Sequence, residues 1–383
     1  MSSNKGCCER EEMDIDGQRA RLAPHEVGRR PAPPRSLLRR SMTAIAGLLG
    51  AAAIAVVVLT PSAPRLATLP GTAGFVYTAD EDGRTISSIN LATGFVQSVG
   101  VHIAPHNVQT VANGTLLLAV GPSAHNHDGE AAGAGLLLVF DPTQFLKGPV
   151  TSIKIGTHPA HVVADAEGKL AFITDADANV LTVVDLKAAK VVASIATGRY
   201  PHGLRMSPDG TQLYLANVLD GTVSVIDTKT LNLVGVIGVG ASPVQVGFAP
   251  DGKRAYVSLR DENAVAVIDT AARQVIARVA VGQGPIQLFV TPDDRFVYVA
   301  NQGSPAAPGN TVSVIATKTN QVVETVKTGQ GAHGVSISDD AKYAFVTNIN
   351  DGTVAVIDTA TQAVVATFAV GEGPNGVTFR AAS

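Results

Sequence analysis

The chain has 383 residues, of which 45% are hydrophobic and only 16% are charged, with a formal net charge of −3. This charge provides no overall basic field for phosphates, and aromatic residues make up only 4% of the chain, so no nucleic-acid partner is expected. The two cysteines, Cys7 and Cys8, are adjacent and lie in a polar segment, which excludes a disulfide scaffold, a zinc ribbon or a thiolate iron–sulfur site.

Residues 1–42 are predicted to form a polar cytoplasmic tail, because they are rich in charge and end in a cluster of arginines. Residues 43–60 carry no charge, and as a helix they would rise about 27 Å, close to the thickness of the membrane hydrocarbon core. We expect either a transmembrane signal-anchor or a signal peptide that is cleaved before Ala63. Residues 61–72 are then a linker, and both alternatives export the rest of the chain to the periplasm or the extracellular space.

A repeat of 42 residues fills positions 73–383. Pro159, Pro201, Pro243 and Pro285 follow one another at this interval, and two longer intervals contain insertions at 121–130 and 303–309. A fixed period of this length, made of short strands, predicts an all-β fold that is a seven-bladed β-propeller with four-stranded blades.

Four strands, A to D, are predicted in each repeat. In the repeat that follows Pro201 they span 202–207, 213–217, 223–227 and 233–239. The domain opens on a B strand at 75–78 and closes on a lone A strand at 375–379. We therefore expect the C-terminal strand to join the first blade, which removes the open edge that an incomplete blade would leave.

Three of the B strands share a motif, which reads Tyr-Val-Ala-Asn at 298–301, Phe-Val-Thr-Asn at 345–348 and Tyr-Leu-Ala-Asn at 214–217. Over residues 73–383 the chain resembles the YVTN-type seven-bladed β-propeller repeat family. Leu259 and Val120 replace the Asn in two blades, and the first blade aligns as Val76-Tyr-Thr-Ala79. Members of this family include the d1-haem domains of nitrite reductases and lactonase-like propellers. The resemblance therefore implies the fold, and a lactonase-like or haem-dependent enzyme is a weaker alternative.

Alternation along strand A predicts which side chains line the central channel. The third residue after each aligned Pro or Ala is apolar in all seven repeats, so it packs between blades and its two neighbours face the channel. Polar side chains there either bind a ligand or only hydrate a structural tunnel. The candidate ligand-binding residues are Asn107, Arg205, Gln245, Gln287 and, at the channel mouth, Asn375.

Eight of the nine histidines are predicted to lie on one face of the propeller, because all eight fall in D-to-A junctions or in the long B-to-C loop. Imidazoles that converge from separate strands form sites for borderline metals such as copper and zinc. The candidate metal ligands are His106, His161, His202, His333, His125 and His127. Arg205 would equally suit an anion, since its guanidinium is a forked donor. A d1-type haem, which only the resemblance implies, is a weaker expectation because haem needs a deep slot.

Catalysis is poorly supported by the sequence. The chain has no GxSxG, HExxH or P-loop motif, and none of the residues predicted to line the channel is acidic, so no catalytic residue is assigned. We expect an exported, membrane-anchored and monomeric propeller that binds a ligand, such as a copper or zinc ion, at a His-rich channel mouth. The alternative is a non-catalytic platform that binds another protein of the cell envelope.

Overall fold

A computed structural model describes Leu69, residues 72–123 and residues 134–382. The predicted membrane segment at 43–60, the tail before it, and His125 and His127 lie outside these described residues. Within them, no helix is both long enough and apolar enough to span a bilayer. Leu69, in the segment expected to be a linker, is buried and packs against the first blade.

The described residues form seven antiparallel sheets of four strands, and each sheet is one blade. Blade 1 consists of β1 (Gly74–Asp80), β2 (Thr85–Asn90), β3 (Val96–Gly100) and β28 (Pro374–Ala381). Blade 2 consists of β4 (Asn107–Val111), β5 (Leu116–Gly121), β6 (Leu136–Phe140) and β7 (Thr151–Lys154). Blade 3 consists of β8 (Pro159–Ala164), β9 (Leu170–Asp175), β10 (Val180–Asp185) and β11 (Lys190–Ala196). Blade 4 consists of β12 (Pro201–Met206), β13 (Gln212–Asn217), β14 (Thr222–Asp227) and β15 (Asn232–Gly238).

The remaining three blades repeat this order. Blade 5 consists of β16 (Pro243–Phe248), β17 (Arg254–Leu259), β18 (Ala264–Asp269) and β19 (Gln274–Ala280). Blade 6 consists of β20 (Pro285–Val290), β21 (Phe296–Ser304), β22 (Ala307–Ala316) and β23 (Gln321–Lys327). Blade 7 consists of β24 (Ala332–Ile337), β25 (Tyr343–Asn348), β26 (Thr353–Asp358) and β27 (Ala363–Ala369). Short 3-10 turns occupy Ala112–Gly114, Pro142–Lys147 and Arg260–Glu262.

The predicted seven four-stranded blades are thus confirmed, and the strand bounds of blade 4 differ from the predicted ones by at most one residue. The insertion at 303–309 lengthens a hairpin, since Gly303 and Ser304 of β21 pair with Pro308 and Ala307 of β22. The innermost strands of successive blades contact one another around the ring. They therefore enclose a central channel.

The C-terminal strand closes the ring as predicted. β28 pairs antiparallel with β1, and Val76 lies opposite Phe379 while Tyr77 lies opposite Thr378. Backbone hydrogen bonds within a single sheet therefore join the first and last strands of the propeller. This pairing leaves no unpaired strand edge where the propeller begins and ends.

Apolar side chains between neighbouring blades form the core. The described residues bury seven such clusters, and each contains one of the residues predicted from strand A alternation to pack between blades. These residues are Val108, Val162, Leu204, Val246, Leu288, Val335 and Val377, and each is at least nine-tenths buried. The alternation prediction is therefore confirmed, and the opposite face of the innermost strands is left for the channel.

The Asn that ends the shared B-strand motif has a structural role. The Oδ1 atom of Asn217 accepts from the Gly198 amide at 3.1 Å, and its Nδ2 atom donates to Ser224 Oγ at 2.9 Å. In blade 1 the corresponding residue is Asp80, because Asp80 lies opposite Pro374 as Asn217 lies opposite Pro201. The sequence alignment of the first blade was therefore wrong by one residue. An Asp stands where three other blades have Asn, and its carboxylate accepts from the hydroxyl groups of Thr85 and Ser87, whereas Asn217 donates to the corresponding hydroxyl groups.

Candidate functional site

Three of the predicted metal ligands come together at one end of the channel. His106 directly precedes β4, His161 lies in β8 and His202 lies in β12, so three successive blades each contribute one imidazole. All three residues are buried, and their potential ligand atoms lie within 4.8 Å of one another. We call His106, His161 and His202 the His triad.

The rings of the triad face one another closely. The Nε2 atoms of His106 and His202 are 3.3 Å apart. The centroid of the His161 ring lies 4.7 Å from that of His202 and 5.5 Å from that of His106. Three successive blades thus bring one imidazole nitrogen each within 4.8 Å of the other two.

Hydrogen bonds on the other ring nitrogens determine the tautomers of His106 and His202. Nδ1 of His106 lies 3.1 Å from Oε2 of Glu81, and Nδ1 of His202 lies 3.3 Å from the carbonyl oxygen of Val244. A carboxylate and a carbonyl only accept, so we assign a hydrogen to each Nδ1 atom; at His106 this assignment makes Nδ2 of Asn375 a second donor to Glu81 rather than a donor to the ring. In the neutral rings both Nε2 atoms then carry lone pairs directed at each other. Such an arrangement is stabilised by a cation between the rings, either a proton or a metal ion.

Glu81 is a site residue that the sequence analysis missed. Its carboxylate accepts from Nδ2 of Asn375 at 2.7 Å, and this Nδ2 atom also lies 3.1 Å from Nδ1 of His106. Glu81 directly follows β1, on the face where B strands end and D-to-A junctions begin. Its position at the end of a B strand could have indicated that Glu81 lies on the same face as the histidines. However, no other repeat has a carboxylate at this position, so the repeat pattern did not single it out.

Hydrogen bonds between strands hold the backbone of the triad. The Thr174 hydroxyl in β9 accepts from the amide of His161 at 3.1 Å and donates to the carbonyl oxygen of His202 at 2.7 Å. One side chain therefore links the innermost strands of blades 3 and 4. This link fixes the distance between the backbones of His161 and His202, from which the two imidazoles project.

The remaining predicted metal ligands are not part of the triad. His333 is buried in blade 7 but is not a member of the group. His125 and His127 lie outside the described residues. His158, from a D-to-A junction, faces outward and lies 3.3 Å from the exposed carboxylate of Asp177.

The predicted ligand-binding residues surround the channel. A cavity of about 620 Å³ occupies it, and four of the five predicted residues line this cavity: Asn107, Arg205, Gln245 and Gln287. Asn375, the fifth, lies beside His106 instead. Burial lowers the pKa of Arg205 to about 10, so the guanidinium still carries its charge at neutral pH.

Glycines of the innermost strands do not open a slot in the channel wall. A Cβ atom at Gly203 would lie 2.4 Å from the carbonyl oxygen of Val244, and one at Gly334 would lie 2.4 Å from that of Asn375. The backbone of the next blade already fills the space that these residues leave. Glycine is therefore required for close strand approach at these positions, and they give no support to a haem slot.

Comparisons with known proteins agree with this architecture. The chain is similar in structure to hydrazine synthase of Kuenenia stuttgartiensis, with a TM-score of 0.61 and 20% identity over 72% of this chain and 89% of that chain. It is also similar to a functionally unknown protein from Desulfotomaculum acetoxidans DSM 771, with a TM-score of 0.66 and 16% identity over 81% of this chain and 100% of that one. At these identities the likeness shows the fold alone.

A search of curated proteins finds no match. The family model described as YNCE-like beta-propeller matches residues 139–381, which is more than half of the chain. This match covers the strands from blade 2 to the closing strand. The chain belongs to the YNCE-like β-propeller family.

Proposed function

We propose that this propeller binds a transition-metal ion, zinc or copper, at the His triad. The observation that carries the proposal is the 3.3 Å separation between Nε2 of His106 and Nε2 of His202, with both Nδ1 atoms already engaged. A tetrahedral ion with metal–nitrogen bonds of roughly 2.0–2.1 Å places its ligand nitrogens about 3.3–3.4 Å apart. The spacing thus matches two ligands of one ion, and His161 supplies a third nitrogen.

The surroundings of the triad support a metal site. A histidine that binds a metal usually donates its other ring N–H to a carboxylate or a carbonyl oxygen, which orients the ring and raises its basicity. Glu81 does this for His106, and the carbonyl of Val244 does it for His202. A site of neutral imidazole nitrogens suits zinc and copper better than magnesium or calcium, which prefer oxygen ligands.

His125 or His127 is our proposed fourth ligand. Both follow Ser123 closely in the sequence, and Ser123 bridges to Ile103, which is close to His106 in the chain. A fourth imidazole from this loop would close the coordination of the ion, whereas its absence would leave a position open for a small ligand.

The experiment is a measurement of metal content and affinity on the full chain. Elemental analysis and calorimetry with zinc and copper are expected to give one ion per chain, and His106→Ala and His202→Ala are expected to lose it. His158→Ala is the matched control, because this histidine also lies at a D-to-A junction but faces outward. His333→Ala is expected to keep the ion. A chain that binds neither metal, or variants that bind as tightly as the parent, contradicts the proposal.

We also propose that the propeller is exported and held at the cytoplasmic membrane by residues 43–60, or released if the chain is cleaved before Ala63. The proposal rests on the uncharged segment that follows the arginine cluster. A reporter enzyme that is active only outside the cytoplasm, fused after residue 72, is expected to be active. An inactive but intact fusion would contradict export.

A second candidate function, a platform for another envelope protein, is favoured by the outermost strands. In β15 the apolar side chains of Leu233, Val234 and Val236 are 43%, 41% and 59% exposed. Exposed apolar surface of this kind is typical of contact sites. A photo-crosslinker at position 236 that yields one discrete adduct in cells, with the same crosslinker at the polar position 229 yielding none, would support it.

A further inference from the structure

A group of unsatisfied polar side chains lies in the same channel, beyond the His triad. The cavity of about 620 Å³ extends from His161 towards the A-to-B turns, where Asn113, Asp165 and Asp339 contribute to its wall. Arg205, in β12, is its central cation. The wall around Arg205 is mixed: it includes the apolar side chains of Val163, Phe289 and Ile337 and the polar side chains of Gln245, Ser336 and Thr378.

Arg205 carries a charge without a counter-ion. Among residues 72–123 and 134–382, its guanidinium makes no hydrogen bond and no ion pair, and its recorded contact is with the Phe289 ring, 4.7 Å from the centroid. Blade 5 has Gly247 at the corresponding position, so no side chain stands between Arg205 in blade 4 and Phe289 in blade 6. The five N–H donors of the guanidinium therefore face the cavity with nothing to accept from them.

A second donor in the cavity wall is also unsatisfied. The Nε2 atom of Gln287 is buried without a hydrogen-bond partner in the described part of the chain, and the whole residue is only 3% exposed. A buried amide left without an acceptor costs about 1–3 kcal/mol. Two unsatisfied hydrogen-bond donors in one cavity wall favour a ligand that accepts hydrogen bonds.

The other charged side chains of the cavity do not neutralise Arg205. The carboxylate of Asp165 accepts from the backbone amides of Lys169 and Leu170 in its own turn, and Asp339 is exposed. The guanidinium of Arg380 donates to the carbonyl oxygen of Gly114 at 2.7 Å. Among the charged groups that the structure describes in this wall, Arg205 is thus the cation whose donors have no hydrogen-bond acceptor.

We propose that this cavity binds an organic monocarboxylate, with Arg205 holding the carboxylate and Gln287 donating a further hydrogen bond. One negative charge neutralises the one free cation, and the planar guanidinium fork matches a carboxylate in two parallel hydrogen bonds. The ring of Phe289 and the side chain of Val163 offer apolar contacts for the hydrocarbon part of such a ligand. A phosphate dianion fits less well, because Arg380, the other cation of the described wall, already donates to the carbonyl oxygen of Gly114 and lies over the Phe75 ring.

The test is calorimetry on the full chain with benzoate, using benzamide as a neutral analogue of the same shape and inorganic phosphate as the alternative anion. Benzoate is expected to bind, and Arg205→Gln is expected to weaken its binding by tenfold or more. Gln287→Leu is expected to weaken it less. The matched control is Arg295→Gln, because Arg295 also lies over a phenylalanine ring, that of Phe296, but on the outer surface.

Several results would overturn this inference. These are a benzoate Kd weaker than about 10 mM, equal binding of benzoate and benzamide, or undiminished binding by Arg205→Gln. Phosphate binding that exceeds benzoate binding would contradict the carboxylate. Folding is checked separately, since Arg205→Gln removes an unpaired charge and is expected to leave the melting temperature unchanged or higher.

The carboxylate site does not depend on the metal site. Benzoate binding is expected to persist after treatment with a chelator and in His202→Ala, whereas Arg205→Gln is expected to retain the metal. The two proposals can therefore fail independently of each other.

Discussion

At the scale of single residues, the site depends on which atom carries a hydrogen. His106 and His202 would be ordinary buried imidazoles if their Nδ1 atoms were free to accept. Glu81 and the carbonyl of Val244 instead take the Nδ1 hydrogens, which leaves the two Nε2 atoms as facing acceptors. The proposed affinity for a cation follows from these two contacts, and neither is visible in the repeat pattern.

Asp80 is a residue for which a pH effect on stability is expected. Burial raises the pKa of its carboxyl from 3.8 to about 6, although hydroxyl groups of Ser87, Thr78 and Thr85 donate to it and partly oppose the rise. The folded state therefore binds the proton more tightly than the unfolded state. The contribution to stability is present below about pH 4 and is lost as the pH rises to about 6.

Asp80→Asn is expected to raise the free energy of unfolding at pH 7 by about 1–3 kcal/mol, because it removes the buried charge that this pKa reflects. The gain should vanish near pH 4. Denaturant unfolding across this pH range measures it, with the exposed neighbour Asp82→Asn as control. A variant less stable than the parent at pH 7 would show that the charge itself is needed there.

At the scale of strands, the repeat determined what could be predicted. Alternation along the innermost strands placed Arg205, Gln245 and Gln287 on the channel, and turn positions placed the histidines on one face. His333 was expected to join the other histidines, but it is not part of the His triad. Residues at equivalent positions of the repeat, which share the same phase, stand at different angles around the ring. The phase specifies height along the channel, whereas contact also depends on how far each side chain reaches across it.

The hydroxyl of Thr174 is expected to position two ligands without touching the metal. Thr174→Val keeps the shape of the side chain but removes the link between His161 and His202, so the metal affinity should fall about tenfold. The measurement is calorimetric titration with zinc.

The control for Thr174 is the equivalent hydroxyl of Ser258 in β17, which bonds to the backbone of Gln245 and Ile286 away from the triad. Ser258→Ala should lower the melting temperature without changing the zinc affinity. If Thr174→Val and Ser258→Ala affect zinc binding equally, the link has only a structural role.

At the scale of the whole molecule, ring closure makes the site possible. His106 and His202 are separated by 96 residues in the chain, and Asn375 by 269 from His106, yet all three meet at one end of the channel. Residue order alone did not indicate these contacts, since they depend on the number of blades and on β28 completing blade 1. The seven-fold count and the closing strand were predictable because the period and the turns repeat.

The His triad as a metal centre is tested most directly by X-ray absorption spectroscopy of the full chain loaded with one equivalent of zinc. We expect at least three imidazole nitrogens at about 2.0–2.1 Å from the ion, and the loss of imidazole scattering in His202→Ala. An all-oxygen shell, or a spectrum that does not change in His202→Ala, would contradict a metal centre at His106, His161 and His202.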